Sequence, residues 1–133
     1  MKQKLKFIVL VFIISFFLNL VWENLHSLLY ENYQGGAITQ FILLRATLSD
    51  AIYITVVAFI FILFKSKKIG MFVVVFALLL VSIFIEKWAL ETSRWAYSEL
   101  MPLLPFLNTG LTPTIQLALT GYLSLKISEK FTI

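Results

Sequence analysis

The sequence predicts an all-α, polytopic membrane protein. It reads as four transmembrane helices in an antiparallel bundle, both termini cytoplasmic (N-in/C-in), with an apolar, proline-rich outer loop between helices 3 and 4. Three observations carry that expectation. The chain of 133 residues is 60% hydrophobic and 14% charged, with a mean hydropathy of +0.93, whereas roughly a quarter of an average soluble domain is charged. Its apolar residues gather into four runs close to the ~20 residues a helix needs to cross a bilayer. Its cations cluster at alternate ends of those runs, the pattern that sets membrane orientation.

The spans are read at 7–29, 41–64, 70–90 and 113–128, within one domain covering 1–133. Lys2, Lys4 and Lys6 ahead of the first run resemble the start of a signal peptide, but no small-x-small cleavage site follows, so the segment reads as a retained anchor. The second run carries Arg45 and Asp50 in its first half, and the third is apolar up to Glu86 apart from Ser82. The fourth is the weakest, with only about 16 residues. Thr112 followed by Pro113 reads as an N-cap with proline at the first helical position. A helix starting there begins below the membrane surface, so the preceding Met101-Pro102-Leu103-Leu104-Pro105-Phe106 stretch is expected to dip toward the bilayer as an interfacial lid.

Lys2, Lys4, Lys6, Lys65, Lys67, Lys68, Lys126 and Lys130 flank the spans on one side, against Arg45, Lys87 and Arg94 on the other. That bias places both termini in the cytoplasm of a bacterial inner membrane. It also accounts for the net charge of +4 without nucleic acid, because the basic residues form no stripe with interleaved aromatics. Trp22, Tyr30, Tyr33, Trp88, Trp95 and Tyr97 gather at the outward end, where an aromatic belt is the ordinary expectation. The absence of cysteine excludes disulfides and thiolate metal sites.

The acids hold the functional information. Six of the seven carboxylates lie toward the outward end. Counted from the cytoplasmic edge of each span at ~1.5 Å per residue, Glu23, Asp50 and Glu86 stand at about 24, 21 and 24 Å. Three helices therefore present a carboxylate at one level. On the first helix Ser15, Asn19, Glu23, His26 and Tyr30 recur every three or four residues, a single polar stripe that must turn away from lipid. Arg45 and Ser49 adjoin Asp50 and Tyr53 on the second helix, Ser82 lies one turn below Glu86 on the third, and Gln116 points in from the fourth. A polar, outward-facing pocket follows.

Four chemistries suit such a pocket. Buried carboxylates beside a histidine fit general acid–base work on a lipid-like or isoprenoid molecule, of isomerase, hydratase or cyclase type. Glu23, His26, Asp50 and Glu86 are then the catalytic candidates, and Asn19, Trp22, Tyr30, Arg45, Arg94, Trp95, Tyr97 and Gln116 the substrate-binding ones. No serine-nucleophile elbow or paired-histidine zinc motif occurs, which disfavours hydrolysis. Alternatively the acids, with Arg45, Lys87, Arg94 and His26, form an interhelical ion-pair network in a structural or partner-binding subunit, alone or as a homo-oligomer. Glu23-Asn24-Leu25-His26 also has the Glu-x-x-His spacing of carboxylate-bridged metal bundles, so one manganese, iron or zinc ion on Glu23, His26, Asp50 and Glu86 is a third reading, although no cofactor is required. The fourth, a proton-coupled transporter, lacks a continuous polar path through the cytoplasmic two-thirds.

Taken together, W-E-N-L-H-S-L-L-Y, L-S-D, E-T-S-R-W-A-Y-S-E-L-M-P and G-L-T-P-T-I-Q resemble the pattern of small four-helix bacterial integral membrane proteins. The resemblance implies a fold and a location and carries no activity. Small carotenoid cyclase subunits bear paired acids near a proline; the P-T-I-Q at 113–116 lacks them.

Overall fold

The computed structural model describes residues 1–132. Four helices make up most of it: α1 (Lys2–His26), α2 (Gln40–Phe61), α3 (Lys67–Glu91) and α4 (Leu111–Thr132). Two short strands, β1 (Tyr30–Tyr33) and β2 (Trp95–Tyr97), pair antiparallel into a ribbon. A single 3-10 turn, Ser27–Leu29, joins α1 to β1. The helices form an antiparallel square in which α1 packs on α2 and α4, and α3 packs on α4 and α2. One end of the bundle carries the ribbon and the 98–110 segment. The other carries eight of the nine lysines, and Lys6 Nζ reaching the Phe131 carbonyl at 3.5 Å brings the start of α1 to the end of α4.

The helix starts have local causes. Thr39 and Ser66 cap α2 and α3, each side chain accepting a hydrogen bond at 3.3 Å from the amide of the third residue on, Ile42 and Ile69. Helix α4 begins at Leu111, two residues before the expected start at Pro113. Thr112 is therefore inside the first turn and is not its cap; the Gly110 carbonyl accepts the first helical bond, from Thr114 at 3.1 Å. Pro113 is tolerated there because first-turn amides have no partner within the helix.

Three helices, α1 with its following turn, α2 and α3, are long and apolar enough to cross a membrane. Their polarity is inverted relative to a soluble bundle. Leu5, Val9, Ile13, Phe17, Val21 and Leu25, every fourth residue of α1, lie exposed on its outer face. The same helix buries Phe7, Val11, Ser15, Asn19 and His26. Helix α4 explains its own weak hydropathy in this way. Thr114, Gln116, Thr120, Gly121, Ser124 and Ser128 all face inward, while Leu119, Leu123, Ile127 and Phe131 face out.

The interior is graded along its length. Toward the lysine end it is apolar, with Phe7 stacked on Phe61 at 5.7 Å and Val11, Ile54, Val74, Leu78 and Leu125 around them. Toward the ribbon end the same four faces turn polar. Small residues allow the close approach that joins α3 to α4, since a β-carbon at Gly121 would run into the Leu78 side chain.

Candidate functional site

The polar half of the interior opens into a cavity of about 240 Å³. Its lining contains nine of the residues expected from the sequence: Glu23, His26, Tyr30, Arg45, Asp50, Glu86, Arg94, Trp95 and Gln116. Asn19, Trp22 and Tyr97 do not line it and stand one layer behind. The expected covering segment, 101–106, is also absent from the lining. Met101 is buried, while Phe106 is 99% exposed at the apex of the 98–110 segment. The ribbon covers the cavity instead, through Tyr30, Asn32, Tyr33 and Trp95.

Gln116 is the junction of α1, α2 and α4. Its Nε2 donates toward Glu23 Oε1 and Asp50 Oδ2, both at 2.9 Å, and toward Asn19 Oδ1 at 3.0 Å. Two carboxyl groups from different helices thus share one amide, as the common depth of Glu23 and Asp50 predicts. An amide nitrogen has two hydrogens and here faces three acceptors. Asn19 is fixed behind this junction, donating to the Ser15 carbonyl at 2.8 Å and accepting from Thr120 at 3.2 Å.

His26 completes a second line of contacts. Its Nε2 meets Glu23 Oε2 at 3.1 Å and its Nδ1 meets Thr112 Oγ1 at 3.1 Å. Thr112 Oγ1 also donates toward Met101 Sδ at 3.5 Å, so its bond with Nδ1 runs from the hydroxyl to a neutral ring and from the ring to the hydroxyl in a protonated one. These contacts, and not an N-cap, occupy the Thr112 hydroxyl. Trp22 packs edge-on to His26 at 6.4 Å, and its indole nitrogen has no acceptor among the described residues.

Glu86 is engaged differently. Tyr30 donates to its Oε1 at 3.3 Å, and Trp95 and Tyr97 donate to its Oε2 at 3.1 and 2.5 Å. One carboxylate from α3 therefore ties down both strands, and Tyr97 in turn accepts the Gly110 amide at 2.9 Å. Burial, and then the negative charge of Glu86, push the Tyr30 and Tyr97 hydroxyls above the usual tyrosine range, so both remain donors. Their contribution is fully present below the ordinary tyrosine value of about 10 and is lost as pH rises beyond it. Three of the aromatics expected in a belt thus serve the interior. Glu86→Gln, which sets an amide against three donors, is expected to cost about 1–3 kcal/mol locally. Hydrogen exchange should then quicken at Trp95–Tyr97 while the amides of α2 hold their protection.

The cations do not form the expected network. Among the described residues the one acid–base pair within 4.0 Å is His26–Glu23, an ion pair when the imidazole is protonated. Arg45 lies over the Phe41 ring at 5.9 Å, Lys87 is exposed, and Arg94 stacks on Trp88 at 5.3 Å and donates to the Tyr33 hydroxyl at 3.0 Å. Arg45 and Arg94 instead reach the cavity from the ribbon side, Arg45 about 7.5 Å along α2 from Asp50. Nor do the acids converge for a metal: among the described residues no group of three or more His, Cys, Asp or Glu is arranged to hold one. The Glu23–His26 pair is spent on itself.

Two contributors escaped the sequence reading: Tyr33 as part of the cavity wall and Thr112 as a partner of His26. The Tyr30–Tyr33 alternation before a glycine pair was the available signal for a strand, and Gly35, at φ +78°, does make the turn that follows it. Comparison of the chain with protein-family models, with curated proteins and with solved structures finds no match, so its function must be argued from this geometry.

Proposed function

We propose that the protein is a four-span inner-membrane protein, both termini cytoplasmic, whose outward cavity binds a lipid-like molecule and transfers protons on it. Support for the fourth span comes from α4 itself. It has 22 residues, about 33 Å of helix, and its polar residues face into the bundle. The eight lysines at the end opposite the ribbon support the orientation.

The observation that carries the functional reading is the unequal commitment of the three acids around one cavity. Glu86 accepts three hydrogen bonds from the ribbon, and Glu23 has one oxygen on Gln116 and the other on His26. Asp50 accepts from Gln116 on Oδ2 and is within hydrogen-bonding reach of Glu23, so it can hold the one proton the two carboxyls share. Asp50 is then the group that gives or takes a proton at the bound molecule. The adjacent Glu23–His26–Thr112 line holds the compensating proton, and Glu86 keeps the cover closed against water. The apolar walls, Ile38, Ile42, Leu43, Ile85 and Leu117, suit a hydrocarbon substrate.

The test is incubation of the protein in nanodiscs with total membrane lipid, followed by mass spectrometry of the lipids. Wild-type protein should convert one species, and Asp50→Asn should slow that conversion by about 10²–10⁴-fold with little change in melting temperature. Identical lipid profiles for both proteins, with no lipid retained by wild type in native mass spectrometry, would overturn the reading. The interhelical bonds of Gln116 favour a second one, a purely structural junction, and a large loss of melting temperature in Asp50→Asn would favour it.

A further inference from the structure

Donors are scarce at the deep end of the cavity. Gln116 offers its two hydrogens to Glu23, Asp50 and Asn19, the last also served by Thr120, and Asp50 otherwise meets only the Glu23 carboxyl. Ser82, 3% exposed, also lines the cavity, and its Oγ has no hydrogen-bond partner among the described residues. A buried hydroxyl left unpaired is costly. Three carboxyl groups there face a single imidazole and no lysine or arginine within ion-pair distance. The missing component is a compact cation rich in N–H donors.

The mouth is the opposite. Arg45 is exposed on a helix long and apolar enough to cross a membrane, where an uncompensated guanidinium is expensive. Arg94 is held ready by Tyr33 and Trp88. Neither has an acidic partner among the described residues. Two planar forks suited to a phosphate therefore stand about one and a half turns above an acceptor-rich floor.

We propose that the occupant is zwitterionic: a phosphate at Arg45 and Arg94, and a primary ammonium donating to Asp50 and Ser82, as in an aminophospholipid headgroup. The inference rests on the lipid-binding reading above and narrows its substrate class. A primary ammonium supplies three donors to a site short of them. A trimethylated ammonium supplies none, and a glycerol headgroup lacks the charge.

The full-length protein in detergent would be titrated with short-chain phosphatidylethanolamine, phosphatidylcholine and phosphatidylglycerol, with binding followed by calorimetry and native mass spectrometry. Phosphatidylethanolamine should bind about tenfold or more tightly than either of the others, the scale of one lost charged hydrogen bond. Ser82→Ala should shrink its advantage over phosphatidylcholine. Arg94→Gln should weaken phosphatidylethanolamine and phosphatidylglycerol alike. Free phosphoethanolamine competing as well as the lipid would support the same chemistry with a soluble source, and failure to compete would assign it to the lipid. Equal affinity for the three lipids would overturn the zwitterion assignment and leave lipid binding standing. No binding of any of them would overturn both. The comparison is made on wild-type protein, so it does not depend on either variant folding.

Discussion

Gly121→Leu is expected to destabilise the bundle by about 3 kcal/mol, at the upper end of what overpacking a close-fitted interior usually costs. Gly121 is buried on α4 at its crossing with α3, where an added β-carbon would collide with Leu78 and come within 3.6 Å of Ile54. Leu78 and Ile54 are both fully buried, so neither side chain has open space to swing into. The helices must then separate. Separation also moves Gln116, little more than one turn away on α4, from the carboxyl groups it joins. Gly121→Ala, whose single methyl meets only the end of the Leu78 chain at close range, should cost about 1 kcal/mol. Leu78→Ala should return part of the loss in Gly121→Leu by making room. Unfolding in mixed micelles measures all three, and a neutral Gly121→Leu would mean that α3 and α4 are not packed in this way.

How far the sequence could lead is set by the range of the interactions involved. The stripe Ser15, Asn19, Glu23 and His26 was legible because helical spacing is local and a polar residue in an apolar run has nowhere to go but inward. The shared depth of Glu23 and Asp50 followed from the same counting. The ribbon was not legible: its strands have four and three residues, lie some sixty positions apart, and contain the aromatics that also make membrane belts. Their inward role depends on Glu86, which no local pattern links to Tyr30. The start of α4 failed for a related reason. Thr112 before Pro113 has the look of a cap, but its hydroxyl meets His26, 86 residues away. Charges misled most. Proximity along the helices placed Arg45, Lys87 and Arg94 beside the acids, yet side-chain direction sends the arginines to the mouth and Lys87 to the surface.

Gln116→Glu should be the most damaging conservative change in the chain, and it separates a junction from a reacting group. It removes the only amide donor shared by Glu23 and Asp50 and sets a third carboxyl against them, with Asn19 Oδ1 also deprived. Uncompensated buried charge of this kind costs about 3–5 kcal/mol. The companion change Glu23→Gln, made in the same molecule, exchanges donor and acceptor between α1 and α4 and restores an amide beside Asp50. The double variant should therefore recover most of the stability lost in Gln116→Glu, giving a coupling of about 2 kcal/mol or more in a double-mutant cycle. It should not recover proton transfer, because His26 then faces an amide where Glu23 stood and the Glu23–His26–Thr112 line is broken. Stability rescued without activity would assign the acids to chemistry built on a structural frame. Stability and lipid conversion returning together would remove Glu23 from the mechanism, and additive losses in the cycle would show that Gln116 does not join the two helices at all.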